Sequence, residues 1–360
     1  MKAALGVARL ALLLLLSLAE GAVARNLTVA AYLPEWRYEG ANWEDISETV
    51  TQLILFSMEV QPTGRLAAHD RLPRKELMLA AREATRRTGT QLLVCIGGNG
   101  RSAGFQQAVA KKDRRQRFVE SLVELIEKHD LDGVDLNWEY PGYDFRAGYH
   151  SEEAVQQDYK GLKALIKRLH AALAPSGKVV TLAYYPDGKQ EKLLREHGIP
   201  EYVANMHMMS YDRPGKHSTL EFAQKVAAQG AQILPAAQLT LGVPFYGRHV
   251  RSGEWKSYED LVQAHTALQT ATGDVDEVAG YYLNGRQTIA TKVRLAREQG
   301  LGGVMIWEVG QDCRVHAVTH GDKTHGVTCP HGAASSLLVA LREAAREGSE
   351  STAPPVHDEV

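Results

Sequence analysis

The chain has little excess charge of either sign. Its 360 residues include 41 lysines and arginines against 43 aspartates and glutamates, a formal net charge of -2. This balance gives no electrostatic reason to expect nucleic acid or an anionic membrane surface as a partner. After residue 24 no apolar run approaches the ~20 residues that a membrane-spanning helix needs. We therefore expect an uncharged substrate, no nucleic-acid partner and no membrane association once a leader is removed.

The leader itself is a short apolar stretch. Lys2 precedes the apolar run from Leu10 to Ala19, and Ala22-Val23-Ala24 has the small-x-small form of a signal-peptidase site. We expect a signal peptide at residues 1–24, with an uncleaved membrane anchor as the alternative.

The C-terminal end is polar. Residues 349–360 are expected to form a disordered tail, because they are too poor in apolar side chains to build a core. The last four residues, His357-Asp358-Glu359-Val360, are similar to an endoplasmic-reticulum retrieval signal but end in valine. Retention in the lumen, secretion and a lysosome-like compartment all remain open.

Cysteine is scarce, with only three in the chain. Cys95 lies in an apolar run and is expected to be a buried free thiol. Cys313 and Cys329 flank a polar loop, and we expect them to form a disulfide in an oxidising compartment. The alternative is a zinc site that uses the histidines of the same loop: His316, His320, His325 and His331.

Short apolar runs alternate with amphipathic stretches along the chain. Eight runs are predicted strands: Thr28 to Leu33, Gln52 to Val60, Gln91 to Ile96, Gly133 to Glu139, Val179 to Tyr185, Tyr202 to Ser210, Gln238 to Val243 and Gly303 to Trp307. Eight stretches have helical periodicity: Arg74 to Arg87, Asp113 to His129, Glu152 to Ala172, Gln190 to His197, Leu220 to Gln229, Tyr258 to Leu268, Thr288 to Gln299 and Ser335 to Arg346.

This alternation predicts an α/β fold, a closed (β/α)8 TIM barrel, spanning residues 25–348. An open, doubly wound sheet is the alternative. No glycine-rich phosphate loop of the dinucleotide type follows the first predicted strand, which argues against that alternative. We expect no cofactor and no bound metal, and we expect a monomer.

The fourth predicted strand has the most informative pattern. Successive strand residues face opposite sides, so Asp135, Asn137 and Glu139 share one face of the strand and Val134 and Leu136 the other. Three polar side chains on the inner face of a buried strand are costly unless they are hydrogen-bonded or have a function. Glutamate is the usual general acid of sugar hydrolysis.

The ends of the other predicted strands carry aromatic and polar side chains. In a TIM barrel these carboxyl ends form the active site. Rings that stack on sugar faces, with amides and acids that bind hydroxyls, favour a carbohydrate groove. The residues concerned are Tyr32, Trp36, Phe56, Glu59, Gly97-Gly98-Asn99, Tyr184-Tyr185, Met209-Ser210-Tyr211-Asp212, Pro244 to Arg248 and Trp307-Glu308.

On these residues the chain resembles glycoside hydrolase family eighteen, the chitinase and chitinase-like family. The family signature Asp-x-x-Asp-x-Asp-x-Glu is matched by Asp132, Asp135, Asn137 and Glu139. Four further segments are similar to that family in the same order: Leu33 to Arg37, Met209 to Asp212, Leu241 to Arg248 and Gly302 to Asp312.

The resemblance implies hydrolysis of chitin or of β-1,4-linked N-acetylglucosamine oligomers, assisted by the acetamido group of the substrate. Glu139 would be the general acid, Asp135 and Asn137 its relay, and Tyr211 a hydrogen-bond donor to the acetamido carbonyl. Trp307 would form the floor of the site. The other substrate-binding residues that it implies are Tyr32, Phe56, Gly98, Asp212 and Arg248. The extra α+β domain of many members is expected to be reduced or absent, because 249–301 is short.

Two positions depart from the family. Asn137 stands where aspartate is usual, and Cys95 where serine is common. An amide that donates to a carboxyl group lowers its pKa, so Glu139 is expected to lose its proton at lower pH than in relatives. A chitinase-like lectin is therefore the main alternative function, although its members typically lack the acid that Glu139 provides. An enzyme for the chitobiose core of N-glycans is a third possibility.

Overall fold

Eight parallel strands close into a barrel in the computed structural model, which describes residues 27–269 and 275–347. The barrel strands are β1 Thr28–Pro34, β2 Gln52–Val60, β3 Gln91–Gly97, β4 Gly133–Asn137, β5 Val179–Tyr184, β6 Asn205–Met208, β7 Leu239–Pro244 and β8 Gly303–Trp307. Strand β1 pairs in parallel with both β2 and β8, so the sheet has no free edge. The predicted (β/α)8 barrel is confirmed, and an open sheet is excluded.

Helices surround this barrel in the order that the periodicity predicts. The α-helices are Trp43–Ser47, Lys75–Thr88, Phe105–Ala110, Lys112–Lys128, Glu152–Leu173, Lys189–Glu196, Leu220–Ile233, Tyr258–Ala264, Thr266–Gln269, Arg286–Glu298 and Leu337–Arg346. The longest begins after Ser151, whose side chain accepts a hydrogen bond from the Ala154 amide and so caps the first turn. Its apolar side packs on the barrel through Val155, Leu162, Leu165 and Leu169.

The predicted strand through Glu139 ends two residues early, at Asn137. The Glu139 amide donates to the Ser102 hydroxyl instead of to a neighbouring strand, so the chain leaves the sheet before the acid. The sixth strand is likewise shorter than predicted, because Ile199–Tyr202 forms a 3-10 helix. The stretch Tyr258 to Leu268 is two helices, since His265 between them is extended.

Between β7 and β8 lies a small antiparallel sheet, which is the reduced module that the short segment predicts. Its four strands are Tyr246–His249, Trp255–Ser257, Glu277–Val278 and Tyr281–Tyr282. A separate hairpin of Tyr143–Asp144 and Gly148–Tyr149 follows β4. Both lie at the carboxyl ends of the barrel strands and add walls above them.

The barrel interior contains a compact set of side chains, distinct from the larger core between strands and helices. Its apolar members are Ala30, Tyr32, Ile54, Phe56, Leu93, Cys95, Ala183, Met209, Tyr211 and Met305. Polar side chains also occupy the interior, among them Asp135, Thr181 and His207, each fully buried. Burial of an aspartate here requires hydrogen-bond donors around it.

Cys313 and Cys329 form a disulfide, with their Cα atoms 4.9 Å apart, so the predicted pairing is confirmed. Because both sulfurs are bonded to each other, neither can serve the alternative zinc site. Cys95 is buried as a free thiol, as expected. Among residues 27–269 and 275–347, no helix is long and apolar enough to cross a bilayer. The predicted signal peptide and retrieval signal lie outside the described residues.

Candidate active site

A cleft of about 820 Å³ opens at the carboxyl ends of the barrel strands. Seven of the ten catalytic and substrate-binding residues that the resemblance implies line this cleft and are thereby brought together. They are Phe56, Asn137, Glu139, Tyr211, Asp212, Arg248 and Trp307.

Glu139 is the acid at the centre of this cleft. Burial raises the pKa of its carboxyl group to about 7, because the charged form loses hydration. A hydrogen bond with the side chain of Asn137 lowers the pKa, and the charge of Asp212 raises it. The amide at position 137 therefore acts in the predicted direction, but burial outweighs it. At weakly acidic pH the Glu139 carboxyl is protonated, which is the state that a general acid requires.

Asn137 is 3% exposed, and its side-chain carbonyl oxygen has no hydrogen-bond partner within the described part of the chain. The residue ends β4 and its side chain lines the cleft. A buried carbonyl without a partner is unfavourable unless a ligand or water donates to it. The side chain can therefore accept an N–H or O–H from a bound molecule.

Beneath Asn137 lies Asp135, fully buried in the barrel. The Tyr32 hydroxyl donates to one carboxylate oxygen at 2.8 Å and the Thr181 hydroxyl to the other at 2.7 Å. Burial raises the pKa of the Cys95 thiol, which remains protonated and also hydrogen-bonds to Asp135. The His207 Nε2 atom lies 3.8 Å away, and burial lowers the pKa of this imidazole so that it is neutral. Two hydroxyl groups and one thiol thus surround the buried Asp135 carboxyl group as hydrogen-bond donors.

Asp212 lies in the loop after β6, a strand that is separated from β4 in the barrel only by β5. Its carboxylate accepts hydrogen bonds from the Tyr246 hydroxyl at 2.7 Å and from Arg248 at 3.1 Å. The backbone at Asp212 has φ of 65°, a left-handed conformation that is uncommon for non-glycine residues. Two donors from the segment after β7 therefore hold this carboxylate towards the cleft.

Aromatic rings form the floor. Trp307 ends β8, and its ring lies 4.7 Å from the ring of Phe56 in an edge-to-face arrangement. Next to it, Tyr211 is buried and its hydroxyl contacts the sulfur of Met305 at 3.7 Å. This weak acceptor leaves the hydroxyl able to donate to a stronger one from the cleft.

Three residues that the resemblance implies do not line the cleft. Tyr32 is 1% exposed and uses its hydroxyl on Asp135, and Asp135 itself lies below the surface of the site. Gly98 is fitted beneath the Phe56 ring, where an added Cβ would lie 2.3 Å from a ring carbon. These residues support the cleft from below.

The family model for "Glycosyl hydrolases family 18" matches residues 28–312, which contain the whole cleft and all eight barrel strands. The chain belongs to glycosyl hydrolase family 18. The resemblance drawn from its motifs is thereby confirmed.

Curated relatives of low identity include chitinases. The chain is 28% identical to an endochitinase of Manduca sexta over 182 residues, which are 44% of this chain and 32% of that protein. It is 23% identical to a probable chitinase 2 of Drosophila melanogaster over 338 residues, or 73% of this chain and 66% of that protein. The matches therefore span from about a third to two thirds of these relatives.

Solved structures of family 18 have the same fold. The chitinase ChiB from Flavobacterium johnsoniae superposes with a TM-score of 0.68 at 22% identity, covering 90% of this chain and 95% of that one. A chitinase domain from Ostrinia furnacalis, crystallised with a bound oligosaccharide described as (NAG)5, superposes with a TM-score of 0.68 at 17% identity, covering 90% and 97%.

Several cleft residues of this family 18 chain were not predicted individually. They are Arg101, Tyr143, Phe145, Trp255 and Gln311. The sequence could have indicated Trp255 and Phe145 as binding residues, because each is a large aromatic residue in a polar segment. Their side chains are 58% and 57% exposed, respectively. Arg101 and Gln311 had none, because arginine and glutamine are ordinary in loops.

A second acid of the cleft, Glu308, is fully buried beside Trp307. Burial raises the pKa of Glu308 to about 7, and the nearby Arg37 guanidinium, which donates to it at 3.2 Å, lowers the pKa. Its other oxygen accepts from the Gly310 amide at 2.8 Å. Both oxygens are therefore occupied, and Glu308 holds the segment after β8 in place.

Proposed function

We propose that this chain is a chitinase-type glycoside hydrolase, which cleaves β-1,4-linked N-acetylglucosamine oligomers with retention of configuration. The observation that carries the proposal is the protonated, buried carboxyl group of Glu139 in a cleft floored by Trp307. Family membership supports the reaction class, and the chitinase relatives support the sugar.

In the proposed first step, Glu139 transfers its proton to the glycosidic oxygen while the bond to the anomeric carbon breaks. The carbonyl oxygen of the substrate's own acetamido group forms a bond to that carbon, giving a cyclic oxazolinium ion and the free leaving sugar. The Tyr211 hydroxyl donates to this carbonyl oxygen, and the orphan oxygen of Asn137 accepts the acetamido N–H.

In the second step Glu139, now a carboxylate, removes a proton from water as the water attacks the anomeric carbon. The oxazolinium ring opens, the acetamido group is restored, and the product has the original configuration. Asp212 is held by Tyr246 and Arg248, so its carboxylate is positioned to bind the sugar or the acetamido group.

The test is hydrolysis of a fluorogenic chitotrioside by the parent chain and by Glu139→Gln, with chitooligosaccharide binding measured for both. We expect activity to fall by at least a hundredfold in the variant while binding persists. A substrate with a hydroxyl in place of the acetamido group at the cleaved sugar is expected to resist hydrolysis. Its cleavage at a comparable rate would contradict the substrate-assisted mechanism.

One observation favours the alternative, a chitinase-like lectin. Asn137 is an amide, so it can neither carry a proton nor balance charge as the aspartate of the family does. Binding of chitooligosaccharides by the parent without hydrolysis at any pH between 4 and 8 would identify a lectin.

A further inference from the structure

Two buried acceptors without partners line the cleft. Of the buried side-chain atoms left without a hydrogen bond in residues 27–269 and 275–347, only Asn137 Oδ1 and Gln311 Oε1 belong to cleft-lining residues. Gln311 is 5% exposed. A buried oxygen is unfavourable when nothing donates to it. Two in one cleft point to a ligand that brings two donors.

The two acceptors come from opposite walls. Asn137 ends β4, and Gln311 lies four residues beyond the end of β8, which is across the eight-stranded barrel from β4. The aromatic floor, with Trp307 at the end of β8, belongs to the same cleft. A chain of sugars lying on that floor would therefore have one acceptor on each side of it.

Position 311 is held rigidly. On its N-terminal side Glu308 is bound by Arg37 and by the Gly310 amide. On its C-terminal side Asp312 is buried and accepts hydrogen bonds from the amides of Cys313, Leu337 and Leu338 and from the Ser336 hydroxyl. The Gln311 acceptor is thus fixed before any ligand arrives, which lowers the cost of binding.

The segment of Gln311 packs against the end of β1. Gly310 lies so close to Arg37 that an added Cβ would be 2.8 Å from the arginine Cβ. Trp36, the residue before Arg37, is 53% exposed and lines the cleft. Gln311 therefore belongs to the Trp36 end of the cleft, whereas Tyr143 and Phe145 lie on the hairpin after β4.

We infer that Gln311 is a specificity-determining residue that accepts the acetamido N–H of the sugar preceding the one at the cleavage point. Successive rings in a β-1,4-linked chain are flipped, so their acetamido groups point to opposite sides. Acceptors on opposite walls, Asn137 for one sugar and Gln311 for the next, match that alternation. The cleft would then select two consecutive N-acetylated sugars. This inference rests on the proposed function for the direction of the bound chain.

The test compares two fluorogenic substrates on the parent and on Gln311→Met, a change that keeps side-chain length but removes the acceptor. One substrate is a chitobioside, and the other carries hydrogen in place of the acetamido group on its non-reducing sugar. We expect that loss of this group lowers kcat/KM about tenfold more in the parent than in Gln311→Met, the size of one neutral hydrogen bond.

Gln190→Met is the matched control. Gln190 is a buried glutamine of the same cleft, but its oxygen already accepts from the Tyr185 amide at 3.2 Å. We expect the control to show the same substrate preference as the parent. If removal of the acetamido group lowers kcat/KM by the same factor in Gln311→Met and in the parent, the Gln311 oxygen does not bind that group and the inference is wrong.

Binding separates this inference from the proposed hydrolysis. The same pair of disaccharides, without the fluorophore, is titrated calorimetrically into the parent and into folded Gln311→Met. If the parent hydrolyses neither substrate, the proposed reaction is wrong. The role of Gln311 is then decided by the ratio of the Kd values of the two disaccharides, measured for the parent and for Gln311→Met. If this ratio of Kd values is equal in the two proteins, the inference about Gln311 is wrong.

Discussion

The Tyr32 hydroxyl donates to Asp135 across the barrel at 2.8 Å, which joins the first strand to the fourth beneath the cleft. Tyr184 is a second tyrosine inside a barrel strand, 2% exposed, but its hydroxyl has no hydrogen-bond partner among the described residues. One of these two buried tyrosine hydroxyls thus has an acceptor and the other does not.

This difference predicts unequal effects of the same substitution on stability. Tyr32→Phe removes a donor from a buried carboxylate and is expected to lower the free energy of unfolding by about 2 kcal/mol. Tyr184→Phe removes a hydroxyl that has no partner and is expected to leave stability unchanged or slightly raised. Urea unfolding followed by fluorescence measures both. Equal destabilisation by the two substitutions would show that the hydrogen bond from Tyr32 to Asp135 makes no separate contribution to the free energy of unfolding.

The pH dependence of hydrolysis is expected to report the acid. Because the proposed general acid, Glu139, must be protonated to act and its pKa is raised to about 7, kcat/KM is expected to fall as the pH rises through about 7. Glu308 has a similarly raised pKa, so Glu308→Gln is the necessary control. We expect that variant to keep the alkaline limb. If the limb disappears in Glu308→Gln, the titrating group is Glu308 and the assignment to Glu139 is wrong.

Position 137 also affects the pKa of Glu139, although burial has the larger effect. Asn137→Asp replaces an amide, whose hydrogen bond lowers the Glu139 pKa, by a carboxylate, which raises it. The alkaline limb is therefore expected to move to higher pH, and the rate to increase roughly tenfold, since a relay can then share the proton. Rate profiles of parent and variant on the chitotrioside check this. An unmoved limb would show that position 137 does not control the acid.

The exposed aromatics of the cleft are expected to bind sugar rings. Phe145→Ala and Trp255→Ala should each weaken binding of a chitotetraose about three- to tenfold, as expected for loss of one stacked ring. Leu79 is 61% exposed and lies outside the cleft, so Leu79→Ala is the control and should bind normally. Calorimetry gives the Kd values. Unchanged affinity in both aromatic variants would mean that oligomers do not reach these walls.

The disulfide is expected to contribute to stability. Cys313 and Cys329 are 16 residues apart, and closing a loop of that size is worth about 3 kcal/mol on the chain-entropy model. The double variant Cys313→Ser/Cys329→Ser should lose about this much free energy of unfolding. Reducing agent should destabilise the parent to the same level and leave the double variant unaffected. A stable reduced parent would contradict the prediction.

The fold was predictable because its elements are long and periodic. Apolar strands such as Gln52–Val60 and amphipathic helices such as Glu152–Leu173 are recognisable from local sequence. Element ends were less predictable, because they depend on single tertiary contacts. The Glu139 amide leaves the sheet for the Ser102 hydroxyl, 37 residues earlier in the chain, and no local pattern shows that partner.

The centre of the site followed from the strand-four motif, whereas its walls did not. Glu139 and Asn137 lie in a regular pattern, but Gln311 and Arg101 gain their places only through the packing of distant loops. Tyr32 is the opposite case, a residue that was expected in the cleft but lies below it. Its position in the first strand suggests a substrate contact, yet its side chain points into the barrel and its hydroxyl donates to Asp135. Strand geometry predicts which end of the barrel a residue occupies, but loop packing decides whether it lies above or below the floor.

The closure of the barrel has a consequence for synthesis of the chain. Strand β1 has its final neighbour only when β8 is present, and the segment beyond Trp307 is fixed through Asp312 by the first turn of Leu337–Arg346. The floor residue Trp307 and the helix Leu337–Arg346 therefore leave the ribosome long after Glu139. A nascent or truncated chain that stops before this helix has Glu139 but is expected to lack a fixed surface on which to hold a sugar, so the cleft is complete only once Leu337 and Leu338 are present.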